Sequence, residues 1–399
     1  MKSKLRISIW ALSLFLAVPP TSVRLAAQQP SARQQKQASI RYTVTDLGKV
    51  GLPPGQAYFV TSNGLAAGAA TTPSGVMHAV LWFNRLKLDI GKPGLGGANS
   101  VAFGANVWGQ AVGAAENNTP DPNGEDFCGF RAMGLPSSGS CLPFLWQFPT
   151  MTALSTLGGN NGEVNQINNL GHVAGYAENS SPDPNCPAPQ VLEFKPVVWK
   201  KGKAHELRTF PGDTDGVALA INDNGQVAGA SGDCAAFNPQ LLIPLQPLHA
   251  LLWEKGKMTD LGNLGGTGHG FGIIALNMNS MGQVVGNSDL PGDTTNHAFL
   301  WTQETGMQDL GTLPGDFISA GLAINDSTQV VGVSLDANFN LRAYLWQNGQ
   351  MTALNDLIPA DSRWDLMLAC SINSSGEIAG LALNKNTGEF HAFLAKPRT

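Results

Sequence analysis

Carboxylate, amide and histidine side chains gather in the polar segments that separate the apolar stretches of this chain. The longest of these segments, 114–141, 176–194 and 230–248, carry Asp121, Asn123, Glu125, Asp126, Asp183, Asn185 and Asp233. Shorter ones add Asn160, Asn161, Asp213, Asp215, His269, Asp289, Asp293, Asp316 and Asp336. Oxygen donors of this kind suit a Ca²⁺ ion, and the same groups hydrogen-bond sugar hydroxyls. Asn160, Asn161, Asp183, Asp213, Asp233, His269 and Asp316 are the candidate ligand-binding positions. The competing reading is a solvated loop surface without a ligand. No resident cofactor is expected, and Ca²⁺ is the one ion this rim suits.

His78, His249, His297 and His391 share one sequence context, which at first sight suggests a metal ring. Leu142, Lys195 and Arg342 take the same place elsewhere in the chain, so no chemistry is required there. Copies of one repeat position also lie too far apart to share an ion. His172 and His205 are scattered. Nucleophile elbow, P-loop, zinc-binding His pair and EF-hand loop are all missing. No catalytic residue is assigned.

Five cysteines fit an oxidising compartment. Cys128 and Cys141 sit in one long segment, while Cys186 and Cys234 sit in equivalent segments of neighbouring repeats. Four cysteines permit three pairings. Position favours Cys128–Cys141 and Cys186–Cys234, leaving Cys370 as a buried free thiol.

The elements that must hold these groups form a repeat. Trp82, Trp146, Trp199, Trp253, Trp301 and Trp346 each end an apolar five-residue segment such as HAFLW, and HAFLA closes the series at His391–Ala395. A second landmark is a turn preceded by Asn and followed four residues later by Gly. The Asn positions are Asn106, Asn168, Asn222, Asn279, Asn325 and Asn373, with Thr61 in the first copy. The turn position is glycine except at Thr328. Asn beside a turn bonds its own backbone, so the asparagines, like the bulky tryptophans, are read as structural. Glycines such as Gly286 mark either a close approach of neighbouring blades or a bulge.

Each unit of about fifty residues holds four strand candidates, an arithmetic that predicts a seven-bladed β-propeller of four-stranded antiparallel blades. Phase then predicts how the ring closes. The chain starts on an outermost strand, Tyr42–Gly48, and ends on a third strand, so the N-terminal strand completes the last blade. The HAFLW, DLGTLGG and AINxxGQVVG patterns resemble the bacterial probable extracellular repeat proteins of the HAF family. That resemblance covers residues 41–395, most closely 249–346, and implies export and repetition but no catalytic residues.

Lys2, Lys4 and Arg6 ahead of an apolar run, Ile7 to Val18, predict a signal peptide over 1–27. A flexible lead-in at 28–40 and a tail at 396–399 flank the propeller at 41–395. Four of the 24 basic residues fall in the signal, leaving 20 against 29 acidic, a balance of −9. With no basic run, that balance argues against nucleic acid and an anionic membrane as partners, and no segment is apolar enough for membrane insertion. A monomer outside the cytoplasm, secreted or periplasmic, is expected.

In a blade of this kind the two tight turns share one face, and the long segments share the other. Variable loops on a rigid scaffold are where binding resides. The leading reading is a non-catalytic scaffold that holds an extracellular glycan or protein on the loop-rich face. The alternatives are a propeller-type lyase or glycoside hydrolase and a purely structural surface protein. Against the enzyme, the innermost-strand segments ALAIN, GLAIN and ACSIN offer no carboxylate.

Overall fold

Valine, alanine and leucine alternating between tight turns give short strands, and these pair into seven four-stranded antiparallel sheets. The computed structural model describes residues 41–51, 55–83, 86–238 and 243–398. The expected signal peptide and lead-in, and Thr399, lie outside the described residues. The innermost strands of consecutive blades touch all the way round, from Gln56–Val60 in blade 1 to Trp364–Ile372 in blade 7 and back to blade 1. The protein is a seven-bladed β-propeller. Among the described residues no helix is long and apolar enough to cross a membrane.

Blade 7 consists of Trp364–Ile372, Ile378–Asn384, Glu389–Pro397 and, outermost, Tyr42–Lys49. The N-terminal strand therefore closes the ring, with Tyr42 opposite Pro397 and Val44 opposite Ala395. Ala395 stands where six other copies carry tryptophan. Each tryptophan packs toward the preceding blade; Trp146, for example, shares a core with Ala67, Ala79 and Leu81 of blade 1. In the layer between blades 6 and 7 that volume is taken by Tyr42, fully buried in one cluster with Ala395, Val331 and Leu345.

The asparagines do more than set turns. Oδ1 of Asn106 accepts the backbone N–H of Trp108 and of Gln110. Its Nδ2 then donates to the carbonyl of Asn168 in the next blade at 3.2 Å. The same link runs from Asn168 to Asn222, Asn222 to Asn279, Asn279 to Asn325, Asn325 to Asn373, and Asn373 to Thr61. Thr61 has no amide to donate, and Asn63 Nδ2 reaches Val107 O at 3.0 Å instead.

The glycine that follows each second-strand valine or alanine pair faces a bulge in its own blade. A Cβ on Gly286 would lie 1.9 Å from the carbonyl oxygen of Ile274, and the equivalent on Gly332 2.0 Å from that of Ala320. Register shifts at Ala275/Asn277 and Gly321/Ala323 mark these bulges. Of the two readings of these glycines, the bulge holds at both positions.

Candidate functional site

The long segments of blades 2 to 4 are part ladder. Pro120 pairs with Gly139 in blade 2, Pro182 with Leu192 in blade 3, and Asn238 with Ile243 in blade 4. In blades 2 and 3 an irregularity after Glu116 or Glu178 interrupts the register, and pairing resumes beyond it. Proline-rich sequence hides such ribbons. Asp233, read in the sequence as part of the polar segment 230–248, consequently lies within the strand Val227–Asn238.

The blade 2 insertion folds over the axis. Phe127 and Phe130 are fully buried in one cluster with Val101, Val217, Leu219 and Ile274, which come from the innermost strands of blades 2, 4 and 5. Tyr58, Phe103, Phe130, Met133 and Glu163 line a void of ≈ 10 Å³ beside this cluster. Such a void has room for about one water.

Polar groups fasten this insertion to its neighbour. Glu125 Oε1 accepts the backbone N–H of Val191 at 2.6 Å and of Leu192 at 3.1 Å. Asn161 Nδ2 lies 2.9 Å from Asp121, 3.2 Å from Glu125 and 3.1 Å from Glu178, and its Oδ1 accepts Cys141 N. Glu178 also accepts the N–H groups of Asn160 and Asn161 and the amide of Gln190. Burial, then the charge of Glu125, pushes Glu178 up to about 8 despite these donors. Asp121, Glu125 and Glu178 are thus occupied by N–H donors.

Disulfides join Cys128 to Cys141 and Cys186 to Cys234, while Cys370 is free and half-buried. Among the described residues one grouping has metal-ligand spacing, Cys186, Asp215 and Cys234. Both sulfurs are consumed by the disulfide, which leaves a single carboxylate. Burial pushes Asp215 up to about 7, against a hydrogen bond from Phe194 N.

Glu163 overturns the expectation that the innermost strands offer no carboxylate. It lies within Gly158–Ile167, the innermost strand of blade 3, and burial pushes it up to about 8 against hydrogen bonds from Tyr176 and Asn165. Sequence could have flagged it. Five residues before the repeat asparagine, blades 2 and 4 to 7 carry Val101, Val217, Ile274, Ala320 and Leu368.

The remaining candidates divide into braces and exposed or half-buried groups. Asp213 Oδ2 receives both Ser231 Oγ and His249 Nδ1. A Ser-His-Asp catalytic triad needs the histidine between the other two, whereas here the aspartate is central and His249 stacks on Phe210. Asp316 does the same with Ser334 and Arg342. Asp183 is buried, its Oδ1 accepting Asn185 N. Asp233 and His269 are exposed, Asn160 half-buried and Asn161 buried. The repeated histidines pair with aspartates of their own blades: His78 with Asp89, His297 with Asp309 and His391 with Asp46, each within 2.9 Å.

No protein-family model matches the chain, and no curated protein resembles it in sequence. Solved structures similar to it include the β-propeller domain of the Trilobed protease from Pyrococcus furiosus, at 8% identity and a TM-score of 0.48, covering 91% of this chain and 97% of that one. Another is Porphyromonas gingivalis dipeptidyl peptidase 4, at 12% identity and 0.40, covering 86% and 51%. A third is the Aleuria aurantia lectin, at 8% and 0.34, covering 77% and 96%. The blade count and the mode of closure rest on this chain's own strand pairing.

Proposed function

We propose that the chain is an exported, non-catalytic binding scaffold of the extracellular-repeat kind, which takes a glycan or a protein segment on its loop-rich face. The observation that supports this most is the fastening of the blade 2, 3 and 4 insertions to one another, through Glu125 and through the Cys186–Cys234 disulfide. Insertions held rigid in the free protein lower the ordering cost of binding. Exposed groups that differ between blades, Asn123, Asp233 and His269, remain to meet a ligand there.

An enzyme reading would rest on Glu163, whose raised pKa suits a general acid. Its void holds about one water, and glycoside hydrolysis needs two carboxylates flanking a sugar. Glycan-array and pull-down binding by the wild-type chain and by Asp233→Ala/His269→Ala decides the matter. Binding that the double substitution weakens supports the scaffold. Binding left untouched by it, or polysaccharide turnover abolished by Glu163→Gln, overturns it.

A further inference from the structure

The tight-turn face displays apolar side chains that the ring does not use. Trp108, Leu170 and Met281 take the third position of the inner turns in blades 2, 3 and 5, and are 74%, 65% and 58% exposed. Blades 4, 6 and 7 place Asn224, Ser327 and Ser375 there, so the turn itself asks for no apolar residue. Phe148, in the outer turn of blade 2, is 77% exposed. On the loop-rich face, among the described residues, the one large hydrophobic side chain that is exposed is Val191, and only to 37%. Exposed apolar groups gathered on one side mark an interaction surface.

Hydrogen bonds tie together the part of this patch in blades 2 and 3. Trp108 Nε1 donates to Asn169 O at 2.9 Å, which pins the indole over the turn that carries Leu170. Gln110 Nε2 donates to Gln147 Oε1 at 3.2 Å, joining that turn to the one carrying Phe148.

Positive charge borders the patch. Lys200, Lys201 and Lys203 crown the outer turn of blade 3, and Lys255 and Lys257 that of blade 4, all exposed. After burial, Lys200 and Lys201 are the groups that lower the pKa of His172, two residues beyond Leu170. Four acidic residues of this face are engaged, Asp223 with Asn169, Glu254 with Lys255, Glu377 with Lys396 and Asp326 with the Ser280 N–H, while Glu304 in the outer turn of blade 5 is exposed. The carboxylates of the insertions lie on the opposite face. The chain also enters the propeller on the tight-turn side, since Tyr42 pairs with Pro397 and Pro397 abuts the Gly376 turn.

We propose that the tight-turn face docks on an anionic lipid bilayer. Phe148, Trp108 and Leu170 enter the headgroup boundary, and the lysines of the outer turns meet the lipid phosphates. Tryptophan, phenylalanine and leucine side chains on an exposed face bury at that boundary, and lysines beside them add attraction to anionic lipid. A soluble polyanion would use the lysines but leave the apolar tips in water. Docked this way, the protein turns its insertions away from the membrane. Net charge pointed elsewhere because it averages two unlike faces.

Co-sedimentation of the full exported chain with phosphatidylcholine vesicles, with and without phosphatidylglycerol, tests this. Binding should require phosphatidylglycerol. Lys200→Glu/Lys201→Glu should weaken it about tenfold or more, in a salt-sensitive way. Trp108→Ser/Phe148→Ser should weaken it by a similar factor at any salt, and unchanged melting temperatures would show both variants folded. Absence of binding to either vesicle overturns the proposal. So does retention on a heparin column that ignores the aromatic substitutions, which would indicate a soluble polyanion. Loss of self-association as the sole effect of Trp108→Ser/Phe148→Ser would indicate a second copy of the chain and overturn it as well.

Discussion

The side-chain amide of Asn373 donates to the carbonyl of Thr61 at 2.9 Å, linking the last blade to the first across 312 residues. Its Oδ1 also accepts the backbone N–H of Ser375 and of Glu377. Asn373→Ala therefore leaves buried donors and an acceptor without partners at the seam, a loss of about 3 kcal/mol. Asn63→Ala removes the exposed substitute link to Val107 and should cost about 1 kcal/mol or less. Urea unfolding of both variants checks this, and equal losses would show that the buried link is not special.

Tyr42 stands in for the tryptophan that the seventh copy lacks. Tyr42→Ala empties a buried aromatic site, for which about 3–5 kcal/mol of lost stability is expected. The phenol oxygen is buried without a hydrogen-bond partner, and burial pushes its pKa up to about 12. Tyr42→Phe should therefore match or exceed the wild type in thermal stability. A Tyr42→Phe variant as damaged as Tyr42→Ala would show that the hydroxyl, not the ring volume, holds the seam.

What could be read beforehand was whatever one repeat encodes by itself. Turn glycines, the HAFLW segment and the phase of Tyr42–Gly48 are local patterns, and they were sufficient for seven blades and the closing strand. Asn Nδ2 to the next blade was hidden, because the same residue already had a sufficient role in its own turn. The ribbon continuing beyond Glu116 was hidden by proline, which reads as a break. The seven sequence-chosen candidates stand in different settings: Asp213 and Asp316 brace strands, Asn161 fastens an insertion, Asp183 is buried, Asn160 is half-buried, and Asp233 and His269 face solvent. Sequence lists polar residues but not their partners, and partners separate a brace from a binding group.

Gly286 offers a sharp test of the bulge. Nothing but hydrogen fits 1.9 Å from the carbonyl oxygen of Ile274, and the Phe299 ring closes the other side at 3.0 Å. Gly286→Ala must push two strands apart, so more than about 3 kcal/mol should be lost. Gly256→Ala, in an outer turn with open space around it but φ at +80°, should cost about 1 kcal/mol. Chemical denaturation ranks the two. A Gly286→Ala protein as stable as Gly256→Ala would mean that the bulge relaxes freely.

Glu163 should set part of the dependence of stability on pH. In the folded chain it keeps its proton up to about pH 8, whereas its ordinary value is 4.5. Between those values the folded state binds more protons than the unfolded state, so stability falls as pH rises through the window. Glu178, also pushed up to about 8, and Asp215, pushed up to about 7, move stability in the same direction. Glu163→Gln stays neutral throughout and can keep its contacts with Tyr176 and Asn165. The variant should melt close to the wild type near about pH 4, where both side chains are uncharged, and clearly above it near about pH 9. Differences between the two melting temperatures isolate Glu163, because the other two carboxylates titrate in both proteins. An advantage for Glu163→Gln that is the same at both pH values would mean that Glu163 does not titrate in this window.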